Sequence, residues 1–204
     1  MQNSELILAS TSKTRQLLLS NAGISFTAHQ PLVNEKELQR ELVSLSPQLM
    51  AVELARAKAL SVSLVHPQAF VIGADQILAF ENRSMHKANN LTEARRKLQR
   101  LRGNTHHLFS SFACAHNGRI IHADVQSASL TMRKFSDEFI DQYLNVSGKD
   151  ILSSVGCYFF EGLGIQLFET VEGDHSTILG LPILPLLAFL RQSSIIGSWK
   201  KLVS

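Results

Sequence analysis

The sequence predicts an α/β fold, and three observations carry that prediction. Leu6-Ile7-Leu8-Ala9 is a short apolar run that reads as a strand and passes through a hydroxyl-rich turn into helical spacing. Residues 69–74 form a second apolar run, β-branched at its centre and resumed at Ile77-Leu78, which reads as a buried strand. Asn117-Gly118 is the strongest short hairpin signal in the chain and joins strands expected over 105–115 and 119–134. With 204 residues the chain can bury a sizeable core, as one larger domain or as two small α/β lobes around a cleft. A composition 45% hydrophobic and 18% charged excludes a disordered chain.

In chain order, Ser10-Thr11-Ser12-Lys13-Thr14-Arg15 opens a helix that runs to Asn21, with Ser10 or Ser12 as N-cap and Gly23 as its stop. Such a turn aims free backbone N–H groups, the positive end of the helix dipole and the cations Lys13 and Arg15 at one spot, which suits a phosphate. Ile24, Phe26 and Ala28 alternate with polar residues as a half-exposed strand, and Glu35 follows at a strand-to-helix junction. Helical spacing over 38–42 restarts at Ser46-Pro47, an N-cap followed by proline at the first helical position. Leu49, Val52, Ala55 and Ala59 are expected to be its buried face, with Lys58 beside them.

Residues 81–87 read as a polar loop and 92–102 as a helix whose apolar stripe is Ala94, Leu98 and Leu101. Arg95, Arg96, Lys97, Arg100 and Arg102 are expected on its solvated face. His106 and His107, adjacent on a strand, point to opposite faces and are not placed to share a metal ion. Ser136 caps a helix carrying Phe139, Ile140, Tyr143 and Leu144, after which Glu161 stands among apolar and small residues. A strand over 165–171 and a last helix after Gly180-Leu181-Pro182 complete the expected elements.

The chemistry concentrates at Asp75. A carboxylate inside so apolar a run must be hydrogen-bonded, paired or metal-bound, because an unpartnered buried charge costs several kcal/mol, roughly. The net charge of +3 suits an anionic small molecule as readily as a nucleic acid, and no Lys/Arg cluster with interleaved aromatics favours the latter. Cys114 and Cys157 lie in apolar contexts and read as buried free thiols. The first eight residues have no basic and long apolar signal pattern, and the apolar tract 178–190 is short and interrupted by Pro182 and Pro185; a cytoplasmic protein without a membrane partner is expected.

These segments, taken together, resemble the Maf family of nucleoside triphosphate pyrophosphatases over nearly the whole chain. Leu6-Ile7-Leu8-Ala9-Ser10-Thr11-Ser12 with Arg15 looks like the family's opening phosphate loop. Glu35 falls at the second acid of an Asp-Glu pair, Lys58 in an Ala-x-x-Lys-Ala helix, and Gly73-Ala74-Asp75 on the core motif. Lys87 matches the lysine of a Gly-Lys-Pro loop, and Gly162 with Gly180-Leu181-Pro182 matches the C-terminal signature. The sequence departs from the pattern at Asn34, which replaces the first acid of the pair, at His86 and Ala88 around Lys87, and at Ser154, where uridine- and thymidine-type members carry a lysine.

The resemblance implies a single domain, 1–204, with a mixed-sheet α/β fold of two lobes around a central cleft, similar to inosine triphosphatase. It implies hydrolysis of a nucleoside triphosphate to the monophosphate and pyrophosphate with a divalent cation, Mg²⁺ or Mn²⁺. Asp75 would be the proton acceptor, Glu35 and Asp75 the metal ligands, and Ser10, Ser12, Arg15, Lys58 and Lys87 the phosphate ligands. Thr14, Gln76 and Glu161 look like the base-selecting positions. The Gln and the Glu-Gly-Leu-Gly run are similar to the 7-methyl-GTP branch, and a carboxylate at Glu161 suits the N1–H and N2–H edge of a cationic methylated guanine. Thymidine and uridine triphosphates are the alternative substrates, and a homodimer is among the assemblies the reading admits. Two other function classes compete: a nucleotide-binding regulator of septum formation without turnover, and a nucleic-acid binder using residues 95–102.

Overall fold

The computed structural model describes residues 5–197, built on one mixed sheet of seven strands. The elements are β1 (Leu6–Ala9), α1 (Lys13–Asn21), β2 (Thr27–His29), α2 (Glu35–Glu41), α3 (Pro47–Ser63), β3 (Phe70–Phe80), β4 (Arg83–Met85), α4 (Leu91–Leu101), β5 (Thr105–His116), β6 (Arg119–Met132), α5 (Asp137–Ser147), β7 (Phe168–Glu172), α6 (His175–Ile178) and α7 (Ile183–Gln192). Two 3-10 turns, Gly148–Ser153 and Leu163–Leu167, lie between α5 and β7. The strand order is β2-β1-β3-β5-β6-β7, with β4 also paired to β3. β1 runs parallel to both β2 and β3, and the remaining pairings are antiparallel. The mixed α/β class expected from the sequence is the one observed.

Local chemistry accounts for the boundaries. Ser12, Asn34, Ser46, Asn90 and Ser136 each accept a backbone N–H of their helix's first turn, satisfying donors that the helix itself leaves free. Asn117 (φ 50°) and Gly118 (φ 66°) both adopt the left-handed conformation that a two-residue hairpin turn demands. The same device operates at Glu81 (φ 52°) and Asn82 (φ 59°), so the expected polar loop over 81–87 contains β4, folded back onto the end of β3.

Alternation along β3 distributes its side chains to two covered faces. Ile72 and Ala74 pack with Leu6, Leu8, Leu19, Leu181, Leu186 and Leu190, on the side of α1 and α7. Val71 meets Ile7, Ala9 and Val62, and Ile77 meets Met50, Ala51 and Leu54, on the side of α3. Gly73 faces α3 as well: a Cβ there would lie 2.3 Å from the Ala55 carbonyl oxygen and 2.5 Å from the Ala59 amide nitrogen. Strand and helix thus touch main chain to main chain through a layer of Ala55, Ala59, Ala113 and Ala115. Gly73→Ala is expected to force α3 outward and cost about 1–3 kcal/mol or more, read as a lower urea midpoint; an unchanged midpoint would contradict this close approach.

Several sequence expectations are corrected. Leu49 is 53% exposed, because the buried stripe of α3 is Met50, Ala51, Leu54, Ala55, Lys58, Ala59 and Val62, which places Lys58 inside. Lys97 is buried rather than solvated, on the same stripe as Ala94, Leu98 and Leu101. The strand expected over 165–171 begins only at Phe168, where β6 offers pairing partners; residues before it form a 3-10 turn in which Gly164 lies against the Phe159 main chain. β2 is shorter than the 24–28 alternation and shifted, since β1 pairs with it only over Ile7–Ala9.

His106 is fully buried with its Nε2 2.8 Å from the Tyr158 hydroxyl, and His107 is exposed beside Ser129, the opposite orientations expected of strand neighbours. Burial drives the His106 pKa down to about 4. Cys114 and Cys157 are free and buried, with burial pushing both thiols up. Among the described residues no helix is long and apolar enough to cross a membrane.

Candidate active site

A gap in the sheet positions the site. β1 ends with Ala9 opposite Gly73, and β4 begins pairing only at Leu78, so among the described residues no strand pairs with 74–77 of β3 on that edge. The chain leaves β1 for β2 on one side and crosses back to β3 on the other, the arrangement that opens a crevice at the carboxyl end of a parallel strand. The turn after β1 lies at this opening. Ser10, buried, accepts the Ser12 amide (3.2 Å), and Ser12 Oγ accepts the Arg15 amide (3.4 Å). The Lys13 and Thr14 amides precede the first intrahelical bond of α1 and have no hydrogen-bond partner among the described residues.

Arg15 bridges the gap. Its Nε donates to the Gly180 carbonyl at 2.8 Å and its Nη1 to the Ala74 carbonyl at 3.0 Å, joining α1 to the edge of β3 and to the turn before α7. Desolvation lowers the pKa of the guanidinium, opposed by attraction to Asp75 and Glu35. Among the described residues Nη2 makes no hydrogen bond, so the outer fork remains for an anion.

Asp75 has the partner its burial required. It is 5% exposed, and its Oδ1 accepts from Lys58 Nζ at 2.7 Å, while its buried Oδ2 has no hydrogen-bond partner among the described residues. Lys58 is equally buried and stands 3.1 Å from Glu35 Oε1 as well. Glu35, half-exposed, is the first residue of α2, and Asn34 caps that helix by accepting the Glu37 amide. The position where an acid was expected thus holds the residue that sets the start of α2 and, with it, the place of Glu35.

Gln76 faces the other side of the sheet. Its Nε2 donates to Ser110 Oγ (2.9 Å), the Thr177 carbonyl (3.1 Å) and the Ile178 carbonyl (3.0 Å), and Ser110 Oγ donates to the Thr177 carbonyl (2.7 Å). Two carbonyls accept only, which orients the amide nitrogen inward; Oε1 makes no hydrogen bond among the described residues. Gln76 therefore anchors α6. Glu161 approaches the start of the same helix, its Oε1 4.0 Å from His175 Nε2, and is exposed.

The structure brings Arg15, Glu35, Lys58 and Asp75 together and sets the Ser10–Ser12 turn beside them; it does not bring Lys87 or Glu161 into contact with them. Lys87 is exposed and enters no hydrogen bond or ion pair among the described residues, and Thr14 is half-buried on α1. Sequence reasoning missed Ser110 and Thr177, although Ser110-Ser111, two hydroxyls inside an apolar strand, gave the same signal as Asp75. Two open grooves, of about 720 Å³ beside Thr131, Arg133 and Lys134 and about 280 Å³ beside Val33 and Leu38, are lined by none of the residues around Asp75.

Among the described residues no group of three or more His, Cys, Asp and Glu side chains is placed to hold a metal. The protein's own donors here are two carboxylates sharing one ammonium, with Asp75 Oδ2 unbonded among the described residues. That set fits a hard cation such as Mg²⁺, which keeps several waters and takes one or two carboxylates together with substrate phosphates.

Comparison with known proteins finds relatives over nearly the whole chain. A nucleoside triphosphate pyrophosphatase of Bradyrhizobium diazoefficiens is 48% identical over 194 residues, covering 95% of this chain and 96% of that protein. One of Caulobacter vibrioides is 46% identical over 193 residues (94% and 96%), and a 7-methyl-GTP pyrophosphatase of Rhizobium meliloti is 45% identical over 195 residues (95% and 98%). Among solved structures, a HAM1 protein from Coxiella burnetii superposes with a TM-score of 0.40 at 16% identity, over 63% of this chain and 73% of that one. The model of the family described as Maf-like protein matches residues 5–193, and the chain belongs to that family.

Proposed function

We propose that this protein hydrolyses a nucleoside triphosphate to the monophosphate and pyrophosphate, with Asp75 as proton acceptor, within one domain whose cleft lies at the gap beside β3. The observation that carries the proposal is the carboxylate of Asp75: buried, held at Oδ1 by Lys58, without a partner at Oδ2 among the described residues, and next to a helix N-terminus and an arginine fork. Oδ2 takes a proton from a water as that water attacks the α-phosphorus. The bond from the α-phosphorus to the α,β-bridging oxygen breaks, and the electron pair leaves with pyrophosphate. Main-chain amides at the start of α1, the hydroxyls of Ser10 and Ser12, Arg15 and Lys87 hold the anionic oxygens, stabilising the charge that moves to the leaving group. Lys58 orients Asp75 through the 2.7 Å contact at Oδ1 and contributes positive charge towards the phosphates. Glu35 and Asp75 would hold Mg²⁺ or Mn²⁺, which when bound neutralises phosphate charge.

The base assigned to the pocket is 7-methylguanine, the substrate then being 7-methyl-GTP. Glu161 offers an exposed carboxylate that can accept from a guanine edge and favours a cationic ring, and Gln76 can present Oε1 while its nitrogen holds α6. Thr14 stands on the first turn of α1 and, among the described residues, is bonded to neither. Pyrophosphate release measured with Mg²⁺ over 7-methyl-GTP, GTP, dTTP and UTP tests both levels. The expected result is turnover highest for 7-methyl-GTP. Faster dTTP or UTP would reverse the base assignment, and no turnover with any of them would overturn the pyrophosphatase reading.

A further inference from the structure

We propose that Lys97 is a positioning residue for the substrate site: from inside the core it holds the loop that carries Lys87 and the segment that leads to Glu161 in one arrangement, a role that rests on Lys87 being a phosphate ligand. Lys97 is 7% exposed, between Ala94, Leu98 and Leu101, while Arg96 and Arg100 on the same helix are exposed. Its Nζ donates to the Val155 carbonyl at 2.7 Å and to the carbonyl of His86, the residue before Lys87. Burial lowers its pKa, partly offset by attraction to Cys157 and Glu93.

A methionine or leucine would fill this apolar stripe without the desolvation of an amine. What it would not do is bond two main-chain carbonyls of irregular segments, which are costly to leave unpaired. On the far side of Lys87 the Asn89 amide and side chain both donate to Glu93 Oε2 at 2.9 Å. The main chain is therefore tied down on both sides of Lys87, whereas its side chain projects exposed. Cys157 itself sits at φ 56°, a left-handed conformation uncommon without glycine, where the 155–157 turn closes over Lys97. One buried cation thus joins the Lys87 loop on the phosphate side to the segment that continues to Glu161 on the base side.

The test is a cycle of Lys97→Met, Lys87→Ala and the double variant, scored by kcat and KM for the nucleotide turned over best, with hydrogen exchange followed over residues 84–90 and 153–158. Lys97→Met is expected to stay folded, to exchange faster in both segments together, and to lose about 100-fold in kcat/KM, the scale of a misplaced ligand. In the Lys87→Ala background the same change is expected to add no more than about twofold, because both act through one group. Wild-type kinetics for Lys97→Met, or losses that multiply in the double variant, would overturn the positioning role and leave the pyrophosphatase reading standing. Wild-type kinetics for Lys87→Ala would remove Lys87 from the site and this proposal with it. If Lys97→Met does not fold, Lys97→Gln takes its place in the cycle with the same outcomes.

Discussion

Asp75→Asn is expected to abolish triphosphate hydrolysis, lowering kcat by about 10³-fold or more, while the protein remains folded. An amide has the shape of the carboxylate and its oxygen can still accept the Lys58 hydrogen bond now made at 2.7 Å. It has no lone pair basic enough to take a proton from water, and it brings no charge to a cation. The fold survives because Lys58 keeps a second acid, Glu35, 3.1 Å away and partly solvated. Pyrophosphate release and a thermal melt, measured on the same preparation, check both halves. Turnover close to wild type would sink the role given to Asp75; nucleotide binding without turnover in wild type and variant alike would favour a regulatory, non-catalytic protein.

Lys58→Met is expected to be the more damaging change for stability, by about 3–5 kcal/mol, the cost typical of removing one partner of a buried ion pair. The asymmetry follows from the contacts. Lys58 has two carboxylates, but Asp75, 5% exposed, has Lys58 at Oδ1 and no partner at Oδ2 among the described residues. Methionine would fill the space and leave the carboxylate desolvated and unpaired. Adding Asp75→Asn to Lys58→Met is expected to restore part of the loss, since the pair is then neutral on both sides. Urea unfolding of the four proteins measures this; a Lys58→Met midpoint matching wild type would show that the pair contributes nothing to the fold.

The course of the chain was largely legible. Ser12, Ser46 and Ser136 announced their helices because capping involves atoms within three residues, and Asn117-Gly118 announced its hairpin because the turn's dihedrals belong to those two residues. The second hairpin was missed, since Glu81-Asn82 adopts the same left-handed turn with a pair that favours it far less. The rotation of α3 was misjudged at Leu49, because the helix offers more apolar residues than one face needs and only packing against Gly73 and its neighbours chooses among them. Lys97 was misplaced for a related reason: a charged residue on a charged helix reads as solvated unless the distant carbonyls that bond it, at His86 and Val155, are known.

By itself, then, the sequence determined the α/β class, most caps and turns, and the requirement that Asp75 find a partner, all of which follow from local dihedrals, nearest hydrogen bonds and the cost of burying charge. Only the tertiary structure decided which partner that is. It set Lys58 against Asp75, carried Arg15 across 165 residues to the Gly180 carbonyl, turned Gln76 to the opposite face as an anchor of α6, and left the edge of β3 open between β1 and β4. Those choices depend on strand register and on which helix covers which face, and neither is encoded within the few residues that any one motif spans.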